Sequence, residues 1–156
     1  IEPAMFYVNM FFGCSELKRI NMTSIPAVTL NNEAVSPICS RMFEDCSSLE
    51  VAPELPATIL QDGCYSGMFK NCSSLEVAPE LPAKAMPSGI CYANMFDGCT
   101  SLNKVTCLLE DTVHIGKWQW LDGVSPTGTF IKAAGAEWPT GVSGIPEGWT
   151  VQDYAG

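Results

Sequence analysis

The sequence predicts an α/β solenoid of about four coils, built from short parallel strands and short helices and closed by a small β-rich C-terminal cap. The motif M-F-x-x-C-[ST]-x-L is written four times, starting at Met10, Met42, Met68 and Met95. Its leucines, Leu17, Leu49, Leu75 and Leu102, follow one another by 32, 26 and 27 residues. Self-similarity at such a period marks a stacked array in which no single coil can bury its apolar face alone. After residue 109 the composition shifts to Trp, Gly and Thr, so the chain divides into a repeat region, 1–109, and a capping segment, 110–156, of one structural domain.

The first part of each repeat reads as a short helix. Asp62 and Ser88 are capping residues, Cys64/Met68 and Cys91/Met95 stand at i,i+4, and Tyr65/Phe69 and Tyr92/Phe96 form a neighbouring stripe. Gly13, Asp45, Asn71 and Gly98 precede the repeated cysteine and are residue types that tolerate a left-handed backbone, so that column reads as a helix stop with positive φ. Next comes an extended segment, Leu49-x-x-Ala52-x-Glu54, with counterparts from Leu17 and Leu102, in which Cys107 aligns with Glu54 and Glu80. The turns Pro53-Glu54-Leu55-Pro56 and Pro79-Glu80-Leu81-Pro82 can continue neither a helix nor a central ladder.

The eight cysteines follow the repeat rather than a metal or disulfide framework. Cys14, Cys46, Cys72 and Cys99 share one column; Cys64 and Cys91 share another with Phe6 and Ile38, which marks the position as apolar. There is no C-x-x-C, and spacings of seven or eight residues are too wide for a zinc knuckle. Buried structural thiols are expected ahead of disulfides, and disulfides ahead of metal. Cys64 and Cys91, on successive helices ~8 to 10 Å apart, should not bridge.

In the tail, Gly128 to Ala133 and Trp149 to Asp153 read as strands joined by a Pro- and Gly-bearing loop. Trp118, Trp120, Trp138 and Trp149 are expected to cover the end of the stack; the alternative is an aromatic platform for sugar rings.

The repeat C-Y-x-x-M-F-x-x-C-[ST]-S-L-x-x-A-P-E-L-P-A runs from Cys64 to Ala83 and in part from Cys91 to Leu108. It resembles the BspA-like leucine-rich repeats of bacterial cell-surface proteins over roughly residues 4–109, and the tail from Trp120 to Phe130 and from Gly144 to Trp149 is similar to the segment that closes such arrays. The resemblance implies a leucine-rich-repeat solenoid, display outside the cell or on its surface, and attachment to host proteins, glycans or other cells. It carries over no fixed binding residues. The first repeat departs from the pattern by six extra residues around Ala27 to Ser36, and Phe12 stands where Glu44, Lys70 and Asp97 are polar.

With a net charge of −9 and scattered Lys and Arg, the chain is not expected to bind nucleic acid or an anionic membrane surface. No apolar run reaches the ~18 residues of a membrane span. His114 is the only histidine and has no nucleophile motif beside it, and no phosphate loop, H-E-x-x-H or calcium loop is present. The expectation is therefore a non-enzyme without cofactor or metal: a secreted or cell-surface adhesion module for a protein or glycan ligand. The candidate binding residues are Glu50, Val51, Glu76 and Val77, on the outer face of the extended segments. Coils ~4.8 Å apart would set Glu50 beside Glu76, an acidic stripe bounded by Lys18 and by Asn103 and Lys104 that suits a basic partner. The alternative is a carbohydrate-binding accessory module centred on Trp138 and its fellow tryptophans. Phe6, Tyr7 and Phe11 already belong to a repeat, so with Met5 and Phe12 the N-terminal end should be apolar. There the protein is expected either to continue before Ile1 or to self-associate.

Overall fold

The computed structural model describes residues 7–21, 39–113, 115, 119–142 and 144–156. Met5, Phe6, the insertion from Ala27 to Ser36, His114 and Trp118 lie outside these residues.

The repeats stack, but not as helices. Among the described residues there is no helix, and the regular structure is one open sheet of three short parallel strands; a helix-containing leucine-rich-repeat solenoid of four coils is not what forms. The reason is a left-handed residue at every fourth position: Asn9 and Gly13, Arg41 and Asp45, Gly63, Gly67 and Asn71, Asn94 and Gly98 all have positive φ. Such a residue ends a right-handed run, so the amides divide into two sets. One set closes i→i−3 turns, as in Met68 N–H to Tyr65 O (3.1 Å), Lys70 to Gly67 (3.1 Å) and Cys72 to Phe69 (3.0 Å). The alternate amides donate to the next repeat instead: Tyr65 to Cys91 (3.2 Å), Gly67 to Ala93 (2.8 Å), Phe69 to Met95 (2.9 Å) and Asn71 to Asp97 (2.8 Å). A turn that recurs every four residues places i and i+4 on one side as a helix does, which is why Cys64/Met68 and Tyr65/Phe69 looked helical.

The residues expected to stop helices do have positive φ: 71° at Gly13, 63° at Asp45, 59° at Asn71 and 75° at Gly98. They close the last turn of a rung rather than a helix. Ser88 caps nothing helical either; its hydroxyl accepts the Ile90 amide at 3.3 Å and bonds Asp62 of the preceding rung.

Stacking rungs in register aligns identical side chains. Phe11, Phe43, Phe69 and Phe96 form a ladder of nearly parallel rings with centroids 5.3, 5.5 and 5.6 Å apart, within the range of favourable offset stacking. Tyr65, Tyr92 and Trp120 make a second ladder at 6.4 and 6.1 Å. Met42, Met68 and Met95 with Leu49, Leu75 and Leu102 fill the interior between them, all fully buried.

The stack runs past residue 109. Phe96 N–H donates to Trp120 O (2.9 Å) and Gly98 N–H to Asp122 O (2.8 Å), so Trp120-Leu121-Asp122-Gly123-Val124-Ser125 lies over Met95-Phe96-Asp97-Gly98-Cys99-Thr100. It is a degenerate further rung with Gly123, φ 65°, directly over Gly98.

On the other side of the stack the extended segments differ in their capacity to pair. Pro53 and Pro79 have no N–H to give, and the Val77 rung meets its neighbour only through isolated bridges, Val77↔Lys104 and Leu81↔Cys107. The next segments lack proline and form continuous strands: β1 (Lys104–Cys107), β2 (Thr129–Lys132) and β3 (Thr150–Asp153), in the order β1-β2-β3. The two tail strands expected from the sequence are thus present. Leu81 stands four positions after Val77 but Cys107 only three after Lys104, so the proline-bearing rung carries one extra residue. Cys107 therefore pairs with Leu81, correcting its alignment with Glu54 and Glu80. Leu55, Leu81 and Cys107 point inward, while Glu54 and Glu80 are exposed.

Replacing Gly98 tests the left-handed corner. A Cβ there would strain the positive φ and run into the Asn71 side chain. Gly98→Val should cost at least about 1 to 2 kcal/mol. Asn71→Gly relieves its own left-handed strain, loses one exposed bond to Asp45 (2.8 Å), and should stay within about 1 kcal/mol of wild type. Urea titration of the two variants checks this; equal losses would contradict the assignment.

Candidate functional site

The structure brings Glu50, Val51, Glu76 and Val77 together on successive rungs with their side chains exposed. The rungs are tied here by backbone bonds that run opposite to those of the turn ladder: Glu50 N–H to Lys18 O (2.9 Å) and Asn103 N–H to Glu76 O (2.9 Å). Val51 and Val77 are 53% and 52% exposed, apolar groups outside the hydrophobic core. The acidic stripe is partly neutralised. Lys18 Nζ lies 3.3 Å from Glu50 Oε1, while Glu76 has no ion pair among the described residues.

Beside this face lies a groove of about 480 Å³ lined by Glu54, Leu55, Pro56, Glu80 and Pro82. Sequence reasoning missed it because the two Pro-Glu-Leu-Pro segments were read only as turns. The signal was there: the same tetrapeptide recurs at a 26-residue spacing, and the glutamate of each copy, Glu54 and Glu80, is exposed. Pyrrolidine rings beside carboxylates suit the apolar stem and charged head of a Lys or Arg side chain.

Trp138 is set into the end of the stack rather than standing free. Its ring stacks on Trp120 at 5.6 Å and meets Phe130 edge-on at 4.8 Å; its buried Nε1 has no hydrogen-bond partner among the described residues. Trp120 and Trp149 are buried, and their Nε1 groups donate to Gly144 O (3.1 Å) and Ser125 O (2.8 Å). Gly128 is what lets Trp149 close down, since a Cβ there would overlap the indole and Asn103 O. Phe12, about half exposed, carries the Arg41 guanidinium 5.5 Å from its ring centroid, and Arg41 also pairs with Glu44.

All eight cysteines are free thiols, and the repeated column has a hydrogen-bonding role. Cys46 Sγ–H donates to Phe11 O (3.0 Å), Cys72 to Phe43 O (3.1 Å) and Cys99 to Phe69 O (3.0 Å). Each thiol bonds the carbonyl of the preceding rung and so points along the stack to a backbone group, not to another sulfur. Burial pushes the thiols of Cys39 and Cys46 up to about 11 and those of Cys99 and Cys107 up to about 12; Cys72 rises further still from the same cause. Cys64 and Cys91 behave differently. They are not on successive helices, as the sequence suggested, but on adjacent rungs joined beside them by Tyr65 N–H to Cys91 O at 3.2 Å, and the Cys91 thiol donates to Gln61 O at 3.2 Å.

No model of a known protein family, no characterised protein and no solved structure matches the chain. Among the described residues no group of three or more His, Cys, Asp or Glu side chains could hold a metal ion, and no helix is long and apolar enough to cross a membrane.

The thiols set the alkaline limit of stability. A thiol with its folded pKa raised above the unfolded value of about 8.5 ionises first in the unfolded chain, so its contribution is complete below that pH and is lost as pH rises through the folded pKa. For Cys39, Cys46, Cys99 and Cys107 the window runs upward to about 11 or 12. Unfolding free energy should be flat with respect to these groups from pH 7 to 8, then fall by roughly 1.4 kcal/mol per pH unit for each thiol ionised only in the unfolded chain. Urea midpoints at pH 7, 9 and 10 test it; unchanged midpoints would contradict burial of these thiols.

Proposed function

We propose that the chain is a non-catalytic interaction module of a secreted or cell-surface protein, and that the face carrying Glu50, Val51, Glu76 and Val77 takes a basic, partly apolar segment of a protein ligand. The observation that carries this reading is the pair Val51 and Val77, half exposed at one column of successive rungs with Glu50 and Glu76 beside them. Exposed apolar groups ringed by polar ones are the composition of a contact surface. The Glu54/Glu80 groove extends the same acidic character, in a chain with net charge −9. The likeness of the repeat to BspA-like arrays supports the location outside the cell. A glycan platform on Trp138 has less support, since one ring face is spent on Trp120.

A Lys- and Val-rich peptide serves as probe. Glu50→Lys combined with Glu76→Lys should weaken its binding at least about tenfold, because like charges then face each other, while stability stays within about 1 kcal/mol. Glu137→Lys combined with Glu147→Lys, the same change of charge at exposed positions of the C-terminal segment, should alter binding little. Equal losses from the two double variants would reduce the effect to net charge and defeat the proposal. So would retention of binding by the first double variant with loss in Trp138→Ala.

A further inference from the structure

The rung from Trp120 to Ser125 carries donors that the rungs before it spend on a neighbour. Phe96 N–H donates to Trp120 O (2.9 Å) and Gly98 N–H to Asp122 O (2.8 Å), so both carbonyls point back into the stack. The peptide bonds are trans, and in a trans peptide the N–H of the following residue points the opposite way. Leu121 N–H and Gly123 N–H are therefore aimed out of the stack, in the sense in which Phe69 and Asn71 N–H reach Met95 O (2.9 Å) and Asp97 O (2.8 Å). Neither meets a backbone acceptor among the described residues.

Both residues line a pocket of about 360 Å³, together with Asp122, Pro126 and Glu147. The pocket is where the turn of one more rung would lie. Asp97-Gly98, Asp122-Gly123 and Glu147-Gly148 recur at a 25-residue spacing, and all three glycines have positive φ. Gly98 and Gly123 stand six residues before Lys104 and Thr129, but Gly148 stands only two before Thr150, which pairs with Thr129 in the sheet. Cut short in this way, the last corner falls beside Pro126 O rather than over Gly123. It leaves the two donors uncovered.

We propose that this pocket is a second binding site, which takes a peptide turn of a partner protein in the place of the missing rung. The site is separate from the acidic face and does not depend on it. The chemistry of the occupant follows from the stack, where the same two donor positions bond the carbonyls of a left-handed turn. Phe43 N–H reaches Met68 O and Asp45 N–H reaches Lys70 O, both at 2.9 Å, and Asn71 forms the corner with φ 59°. The residue before the corner supplies charge, since Lys70 Nζ lies 3.3 Å from Asp97 Oδ2 on the next rung. Asp122 holds the column of Asp97, is exposed, and has no ion pair among the described residues. With Asp122 and Glu147 at its rim the pocket disfavours an anion. The ligand that fits is a turn with Lys or Arg followed by Asn or Gly. A Lys- and Val-rich strand does not fit, because β-branched residues resist positive φ.

The probe is the blocked peptide Gly-Met-Phe-Lys-Asn-Ser-Ser, a copy of Gly67 to Ser73 with serine for the thiol, titrated into the full chain and followed by NMR of the amides. Leu121 and Gly123 N–H should move downfield and saturate, while Phe69 and Gly98 N–H, already bonded inside the ladder, should stay in place. Asp122→Lys, at an exposed position, should weaken binding at least about tenfold. Valine in place of the peptide's glycine and asparagine should do the same without touching the protein. The Glu50→Lys, Glu76→Lys double variant should bind the peptide as wild type does, so either site can fail without the other. No shift at Leu121 and Gly123 with millimolar peptide, equal binding of the valine peptide, or loss of binding in the Glu50/Glu76 variant would overturn the proposal. So would movement of the same two amides with a methyl glucoside and not with the peptide, which would make the pocket a sugar site.

Discussion

Everything in this fold depends on where alternate amides of the turn segments send their hydrogen bonds. In a helix the Phe69 amide would bond within its own repeat, four residues back. Here it crosses to Met95 O at 2.9 Å, and Phe43 and Phe96 cross in the same way to Met68 O and Trp120 O. The crossing is possible because the left-handed residue at every fourth position turns these N–H groups along the stacking axis. A rung so built satisfies half its amides locally and half through its neighbour. It has no complete hydrogen-bonding solution by itself, which is the same constraint the buried side chains impose.

The composition of the core follows from that register. When equivalent residues stack directly, a column must hold a side chain that packs well against copies of itself. Phenylalanine does so by offset stacking. Cysteine does so for another reason: it is small enough for the tight corner and has a weak donor that reaches the carbonyl of the preceding phenylalanine, at 3.0 to 3.1 Å in three successive rungs. The thiols are therefore part of the ladder. Burial suppresses their ionisation, a property that protects free thiols in an oxidising setting. In the column of Cys64 and Cys91 the Cys91 thiol instead reaches Gln61 O, at 3.2 Å.

The repeat, its period, the left-handed corner and the two tail strands could all be read from residue types, since each rests on a local requirement: leucine for burial, Gly, Asn or Asp for positive φ, β-branched and aromatic residues for strands. The helix could not be separated from the four-residue turn because both bring i and i+4 to one face; the deciding fact, the direction of an amide, is not encoded in side-chain pattern. Trp120 to Ser125 escaped recognition as a further rung because Trp and Leu replace Met and Phe, and only Asp-Gly and the hydroxyl after the next residue persist. Of the candidate site, the outward valines and glutamates were visible in the alternation of the extended segments. The Glu54/Glu80 groove was not, because it is lined by two rungs, and the register of one rung on the next is a property of both together.

The exposed face of Val51 and Val77 owes its form to the same stack, since the two residues share one column only because their rungs are in register. The most direct measurement is the scalar coupling that NMR detects across hydrogen bonds, read at the Phe69 amide. The account predicts coupling from Phe69 nitrogen to the carbonyl carbon of Met95, in the next repeat. Coupling to the carbonyl of Tyr65, four residues back, would show a helix and contradict it.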